Sequence, residues 1–273
     1  MKFIKLGGKY AFKNIWWIGL LWLVPSVFVG LCCGPFQVVE FMNNYPTTAI
    51  SGFGDVFKLL MPFGWQRVVF TILGILIIGI CLSLFVGQSE SHMRSGKLNF
   101  KEIFSYVNND ILVVLVNVIV LELINIFTTF IFGSIIFLFH LILSGLSNVP
   151  TVLCSIIAIV ICVGILLIYC LTTAMFLINI PNMISNGYSL KEGISSTSQL
   201  LGKSTFSLVL AYLLPYVVII PFVSLLCKTN ALWVANILSY FILTIYYSGL
   251  TMTAYFELSD TTRYDNRKYY NYK

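Results

Sequence analysis

Charge is what this chain has least of. Of its 273 residues only 10% are charged, ten acids against sixteen bases, where an ordinary soluble domain carries about 25%. So few charges cannot cover a soluble fold of this length, and most of the outer surface must face lipid. The same shortage excludes nucleic-acid binding, which needs a dense basic surface, and intrinsic disorder, which needs a polar chain. Histidine is nearly absent, with His92 in a loop and His140 in an apolar run. There is no C-x-x-C pair, no H-E-x-x-H, no G-x-S-x-G and no P-loop lysine, so metal, hydrolase and ATPase chemistries lack their parts. No cofactor is expected, and the chain reads as non-enzymatic. Ser134 or Ser144 with His140 are the nominal serine–histidine pairs, and His140 reads as a hydrogen-bonded interface residue. The seven cysteines, Cys32, Cys33, Cys81, Cys154, Cys162, Cys170 and Cys227, lie in or beside apolar runs and read as small apolar side chains. A disulfide among Cys32, Cys33, Cys154 and Cys227 stays open as the alternative.

Apolar residues, by contrast, make up 59% of the chain. A helix needs about 20 of them in a run to cross hydrocarbon. Spans one and two read as Ile15–Cys33 and Val68–Val86. From Ile111 to Leu146 the run is longer than one crossing, and a break is expected at Gly133-Ser134. That leaves Ile111–Phe130 as span three and Ile131–Leu146 as a helical extension or an interfacial segment. Span four lies within Thr151–Ile180 and is expected to end at Pro181; span five is Ser207–Leu226, bent at Pro215 and Pro221; span six is Leu232–Tyr255. The fold class is therefore an all-α polytopic membrane bundle of six spans, with residues 1–14 before it and a tyrosine-rich tail, 257–273, after it. That tail reads as a disordered end or a docking strip for a protein partner. Trp16, Trp17, Trp22, Trp65 and Trp233 read mostly as an interfacial belt.

Six spans put both termini on one side. Thirteen of the sixteen bases fall on that side, leaving Lys58, Arg67 and Lys228 opposite. Under the positive-inside bias both termini are expected to be cytoplasmic, in a multi-pass cell-membrane protein. Met1–Asn14 has no small-x-small cleavage site after it and reads as an uncleaved signal-anchor. Lys2, Lys5, Lys9 and Lys13 share one helical face, which suits a short helix on anionic lipid headgroups or simple charge anchoring. In the outer loop, 34–64, Asp55 is expected to cap a short helix within a re-entrant connection.

Two internal loops carry the capping-box spacing, in which a cap oxygen meets a helix N–H and a glutamate reaches back: Asn99 with Glu102, and Ser189 with Glu192, 90 residues later. Each is expected to open a short amphipathic helix, Phe100–Val107 and Leu190–Leu201. The offset suggests a parallel duplication, 68–130 and 151–226. The stretch Gly96–Phe104 (G-x-x-N-F-K-E-I-F) and Ile180-Pro181-Asn182, leading into Ser189–Ser196 and Gly202-Lys203, resembles the six-span bacterial membrane proteins related to the membrane domain of glycerophosphodiester phosphodiesterases. That resemblance implies an architecture spanning nearly the whole chain. In that group the hydrolase chemistry belongs to a soluble barrel which these residues do not contain, so phosphodiesterase activity is not implied.

Glu122 is the one carboxylate clearly inside a span, near the expected midplane, and leads the candidate site residues. An ionised carboxylate in hydrocarbon costs about 2.5–3.5 kcal/mol by insertion scales, so such groups turn inward and mark ion or proton paths, or act as interhelical glue. Asn117, Asn125, Thr128 and Thr129 add polar groups on the same helix, with Asn125 on the Glu122 face, and no intramembrane base is expected as a partner. Asn179, Asn182 and Asn236 are weaker candidates. Two functions remain in view: a non-catalytic scaffold or accessory subunit, favoured because only span three is rich in polar groups, and a small-solute or proton-coupled permease component using Glu122.

Overall fold

The computed structural model describes residues 2–45, 50–61, 65–100, 103–144 and 151–265. In hydrocarbon no water satisfies the backbone, so the apolar runs close their own hydrogen bonds as helices. The described elements are α1 (Lys2–Lys13), α2 (Ile15–Cys32), α3 (Gln37–Asn44), α4 (Phe53–Leu60), α5 (Trp65–Ser95), α6 (Ile103–Ser144), α7 (Thr151–Asn186), α8 (Leu190–Leu201), a 3-10 turn over Gly202–Ser204, α9 (Thr205–Leu213), α10 (Tyr216–Leu226) and α11 (Leu232–Leu258). Six helical stretches are long and apolar enough to cross a membrane, and there is no strand among the described residues. The protein is an all-α, multi-pass membrane bundle.

The last span is the centre. Within its apolar window 67% of α11 is buried, against 22–44% in the other five. It packs on α1, α2, α5, α7, α9 and α10. Two glycine crossings set the closest approaches. A Cβ at Gly30 would lie 2.7 Å from the Ile237 Cα, and one at Gly7 2.7 Å from the Leu250 Cα, while the facing Gly249 would put its own 2.5 Å from the Gly7 carbonyl. Small residues at helix crossings let backbones meet where apolar burial alone does not discriminate protein from lipid. Gly7 therefore seats α1 against α11, and Asn14 makes the joint into α2 by returning its amide to the Tyr10 carbonyl (3.0 Å). Lys2, Lys5, Lys9 and Lys13 are exposed on the outer side of α1, and Lys2 pairs with Glu257. That pair puts the start of α1 and the end of α11 on one face of the bundle, here the terminal face; the opposite one is the distal face.

Several boundaries differ from expectation. The break at Gly133-Ser134 is absent and α6 runs through it: Gly133 makes room for Leu60, whose Cδ1 would sit 3.3 Å from an added Cβ, and the Ser134 hydroxyl donates to the Phe130 carbonyl (2.9 Å). Pro181 does not end α7, which continues to Asn186 because polar side chains anchor the turns on both sides of it (below). The helix expected at Phe100–Val107 is instead the start of α6, since no glycine or proline separates it from span three; Glu102 itself lies outside the described residues. Gly202, at φ +36°, gives α8 the stop that the first loop lacks. The fifth crossing is broken at Leu214-Pro215 into α9 and α10. Asp55 is not the cap of α4 but its third residue, reaching back to the Ser51 and Gly52 N–H groups (3.0 and 3.1 Å).

Nor is the outer loop a bare connection. Val38, Phe41, Tyr45, Val56 and Leu60 of the α3–α4 segment pack with Ile136, Ala158, Cys162, Ile165 and Leu166 into a second core around the distal ends of α6 and α7. On the terminal face, residues 259–265 are packed rather than loose. The Tyr264 N–H donates to the Met93 carbonyl (2.7 Å), and Arg263, 7% exposed, pairs with Asp265 (2.9 Å) and lies over the Tyr10 ring. Residues 266–273 lie outside the described residues.

Candidate functional site

A partly open cavity of about 400 Å³ lies between α2, α5, α6, α7, α10 and α11, with α3 and the end of α4 at its distal side, reaching from Gln37 and Arg67 down to Phe85 and Thr251. Pockets for small molecules begin at about this size. Span three contributes Glu122, Asn125 and Thr129; span two Arg67 and Thr71; span four Tyr169 and Thr173; span five Tyr216; span six Tyr240, Thr244, Tyr247, Ser248 and Thr251. Polar groups thus converge from five spans, where the sequence alone points to one.

Helix geometry explains the convergence. Tyr240, Thr244, Tyr247, Ser248 and Thr251 recur at three- and four-residue steps, one face of α11, and Tyr169 and Thr173 do the same on α7. On α6, Leu115 packs over Gly79 of the antiparallel α5, which sets Glu122 two turns nearer the distal face, level with Thr71–Gly74. Glu122 lies within electrostatic reach of Cys33, Tyr169 and Tyr240. Cys33 is also within reach of Arg67, so acid and base flank one stretch of cavity wall. Arg67, in the first turn of α5 and one residue before the span expected from Val68, lines the distal end of the same cavity beside Gly34, where an added Cβ would lie 3.3 Å from its guanidinium. Even so, among the described residues neither Glu122 nor Arg67 makes an ion pair or a protein hydrogen bond.

Around them the wall is partly self-satisfied. Thr129 and Tyr169 share a short hydroxyl–hydroxyl bond, the Thr172 hydroxyl donates to Asn125 Oδ1 (3.4 Å), the Tyr212 and Thr251 hydroxyls are 2.7 Å apart, and the Tyr247 hydroxyl donates to the Tyr212 carbonyl (2.7 Å). Trp22, only 4% exposed and lining the cavity, carries an indole N–H with no partner among the described residues. It is a mid-span residue, not part of the expected interfacial belt.

Asn117 is not in this cavity. Its Oδ1 accepts from Asn179 Nδ2 (2.7 Å), the Thr197 hydroxyl donates to Asn179 Oδ1 (3.0 Å), and Asn182 Nδ2 donates to Ser196 and Thr197 (3.1 and 3.0 Å). This buried chain ties α6 and α7 to α8 and holds α7 on either side of Pro181. In a low-dielectric interior a closed network of this kind fixes geometry. At the head of α8 the Glu192 carboxylate accepts from the Ser189 N–H and hydroxyl (3.0 and 2.6 Å), bonds that hold its pKa below the usual carboxylate range. Asn99 lies in the turn before α6, with its backbone facing the Gln88 amide.

In comparisons with known proteins, no family model matches this chain, and no curated protein or solved structure matches it.

The remaining chemical candidates fall elsewhere. His140 meets the Tyr45 hydroxyl (3.3 Å) while Ser134 is bonded to its own helix, so the two form no pair; the Ser144 side chain lies outside the described residues. His92 is inside α5, not in a loop, buried and 3.1 Å from the Tyr10 hydroxyl. Cys32, Cys33, Cys81, Cys162, Cys170 and Cys227 are free, and the Cys154 side chain is outside the described residues. Asn236 donates to Glu40 (3.3 Å) near the distal face. Apart from Glu122, Asn125 and Thr129, the cavity residues escaped the sequence reading. The signal that finds them is the helical spacing of hydroxyls and tyrosines in the least apolar span.

Proposed function

We propose that the protein is a small-solute permease or solute-binding membrane component, with Glu122 as the charge-bearing or proton-bearing group of its cavity. One observation carries this reading: an acid, a base and hydroxyls from five spans converge on a single cavity inside the membrane-spanning bundle. Ionisable groups without a protein partner are costly in such a bundle even when half-buried, as Glu122 and Arg67 are, and a solute that pairs with them offsets that cost. The reading is non-catalytic. It adopts a cell-membrane location with both termini cytoplasmic, supported by the lysine and arginine distribution, and the likeness to the phosphodiesterase membrane domains adds architecture alone.

The test is thermal unfolding of the detergent-purified protein against small cations, anions, zwitterions and neutral solutes at pH 5–9. It is run alongside Glu122→Gln and the cavity-filling Ser248→Phe. A solute at about 100 times its Kd adds about 2.7 kcal/mol, which corresponds to a rise of roughly 5 °C. The expected result is such a rise for one charge class in the wild type and its loss in both variants; identical responses of all three proteins would count against the reading.

A scaffold role is the second reading, and one observation favours it. The four lysines of α1 are exposed while Gly7, Tyr10 and Ala11 are buried, so a basic strip is presented at the terminal face for anionic lipid or a protein partner.

A further inference from the structure

Resting on the solute-binding reading, we infer that the cavity takes a zwitterion whose two charges are held apart by an apolar body, its cationic end on Glu122 and its anionic end on Arg67. Both groups line one cavity, both lie within electrostatic reach of the Cys33 thiol, and among the described residues neither is neutralised by a protein partner. A lone cation would satisfy Glu122 but pass Arg67 unfavourably, and a lone anion the reverse. Only a ligand bearing both charges meets each with its opposite, where low dielectric makes the pairing strong and a mismatch costly.

The separation follows from the helices. Arg67 stands about one to two turns distal to the Thr71–Gly74 level of Glu122, or roughly 7–10 Å along α5 before the two side chains reach inward. Adjacent charges, as on an α-amino acid, suit this less well than charges at opposite ends of a ring or short chain. The middle of the ligand meets apolar wall and the rings of Phe36 and Tyr240, while Trp22, with its unpaired indole N–H, lies deeper in the cavity towards the terminal face. An aromatic face beside the cationic end adds a cation–π attraction.

The simplest rigid probe is 4-(aminomethyl)benzoate, compared with benzylamine, which keeps the cation alone, and 4-methylbenzoate, which keeps the anion alone. Binding to the full-length detergent-purified protein is measured by calorimetry and by tryptophan fluorescence, with Trp22→Phe locating the signal. The expected result is at least tenfold tighter binding of the zwitterion than of either half. Glu122→Gln should weaken the zwitterion and benzylamine about tenfold and leave 4-methylbenzoate unchanged; Arg67→Gln should weaken the zwitterion and 4-methylbenzoate and leave benzylamine unchanged. If benzylamine binds as tightly as the zwitterion and Arg67→Gln is silent, the zwitterion inference is overturned while the solute-binding reading stands. If all three probes are silent, the inference is overturned, and silence from the charge-class screen as well overturns the reading beneath it. The variants' unliganded melting temperatures and gel-filtration profiles separate lost binding from lost folding.

Discussion

Gly7 and Gly8 are neighbours in one helix, yet alanine should push them in opposite directions. At Gly7 the new Cβ would stand 2.7 Å from the Leu250 Cα and 3.1 Å from its N, and at Gly8 it meets nothing within 4 Å. Carbon atoms in contact prefer about 3.5–4.0 Å, and the obstruction at Gly7 is backbone in the middle of α11, so α1 itself must move by most of an ångström. Overpacking of this kind costs about 1–3 kcal/mol, while replacing glycine by alanine inside a helix returns about 0.5–1 kcal/mol. Gly7→Ala is therefore expected to destabilise by about 1–2 kcal/mol and Gly8→Ala to stabilise by about 0.5–1 kcal/mol. At roughly 2 °C per kcal/mol for a chain of this size, the two variants should be separated by about 3–6 °C in apparent Tm. Tryptophan fluorescence in one detergent at one scan rate reads the difference, and amide exchange across 2–13 reports whether α1 has lifted. Shifts of the same sign in both variants would refute the docking of α1 through this crossing, as would a Gly7→Ala protein with unchanged exchange.

Asn179→Leu leaves the Asn117 amide oxygen and the Thr197 hydroxyl without their partner and should cost about 1–3 kcal/mol; Asn117→Leu/Asn179→Leu should be less destabilised than the sum of the singles, since paired polar groups removed together leave fewer orphans. Gly202→Ala meets no atom within 4 Å, so any loss comes from its φ of +36° alone; about 1–2 kcal/mol is expected, with Gly8→Ala as the sign control. The acidity of Glu192 is enhanced in the fold, so its contribution is fully present above the unfolded-state carboxylate range and declines as pH falls through its lower folded value. Amide exchange at the start of α8 should therefore quicken as pH drops below about 4, after correction for intrinsic rates, and Glu192→Gln should remove that dependence.

The spans were legible because lipid forces long unbroken apolar runs, and hydropathy registers little else. Their ends were not. Gly133 and Pro181 carry the residue types of breaks, but whether a glycine breaks a helix or admits a neighbour depends on what crosses it, here Leu60 of an element remote in sequence. Glu122 was legible since a carboxylate in hydrocarbon demands an explanation wherever it points. Tyr240, Thr244 and Ser248 made no such demand: tyrosine is mostly apolar surface, and threonine and serine in helices bond readily to their own preceding turn, as Thr244 does with the Tyr240 carbonyl (3.0 Å). Arg67 reads as an outer-side anchor because nothing local in the sequence shows its side chain lining the cavity beside Gly34.

The place of α11 has a consequence for how the protein is made. Its neighbours α1 and α2 leave the ribosome before the other described helices, and the surface they pack on leaves after them. At about 5–20 residues per second, roughly 10–45 s separates the completion of α2 from that of α11. Through that interval Gly7 and Gly30 lack the α11 backbone that they pack on, while α2 already has α5 beside it. Assembly is thus a late closure around the final helix, and a ribosome stalled short of residue 232 would leave five crossings without the post they are built around.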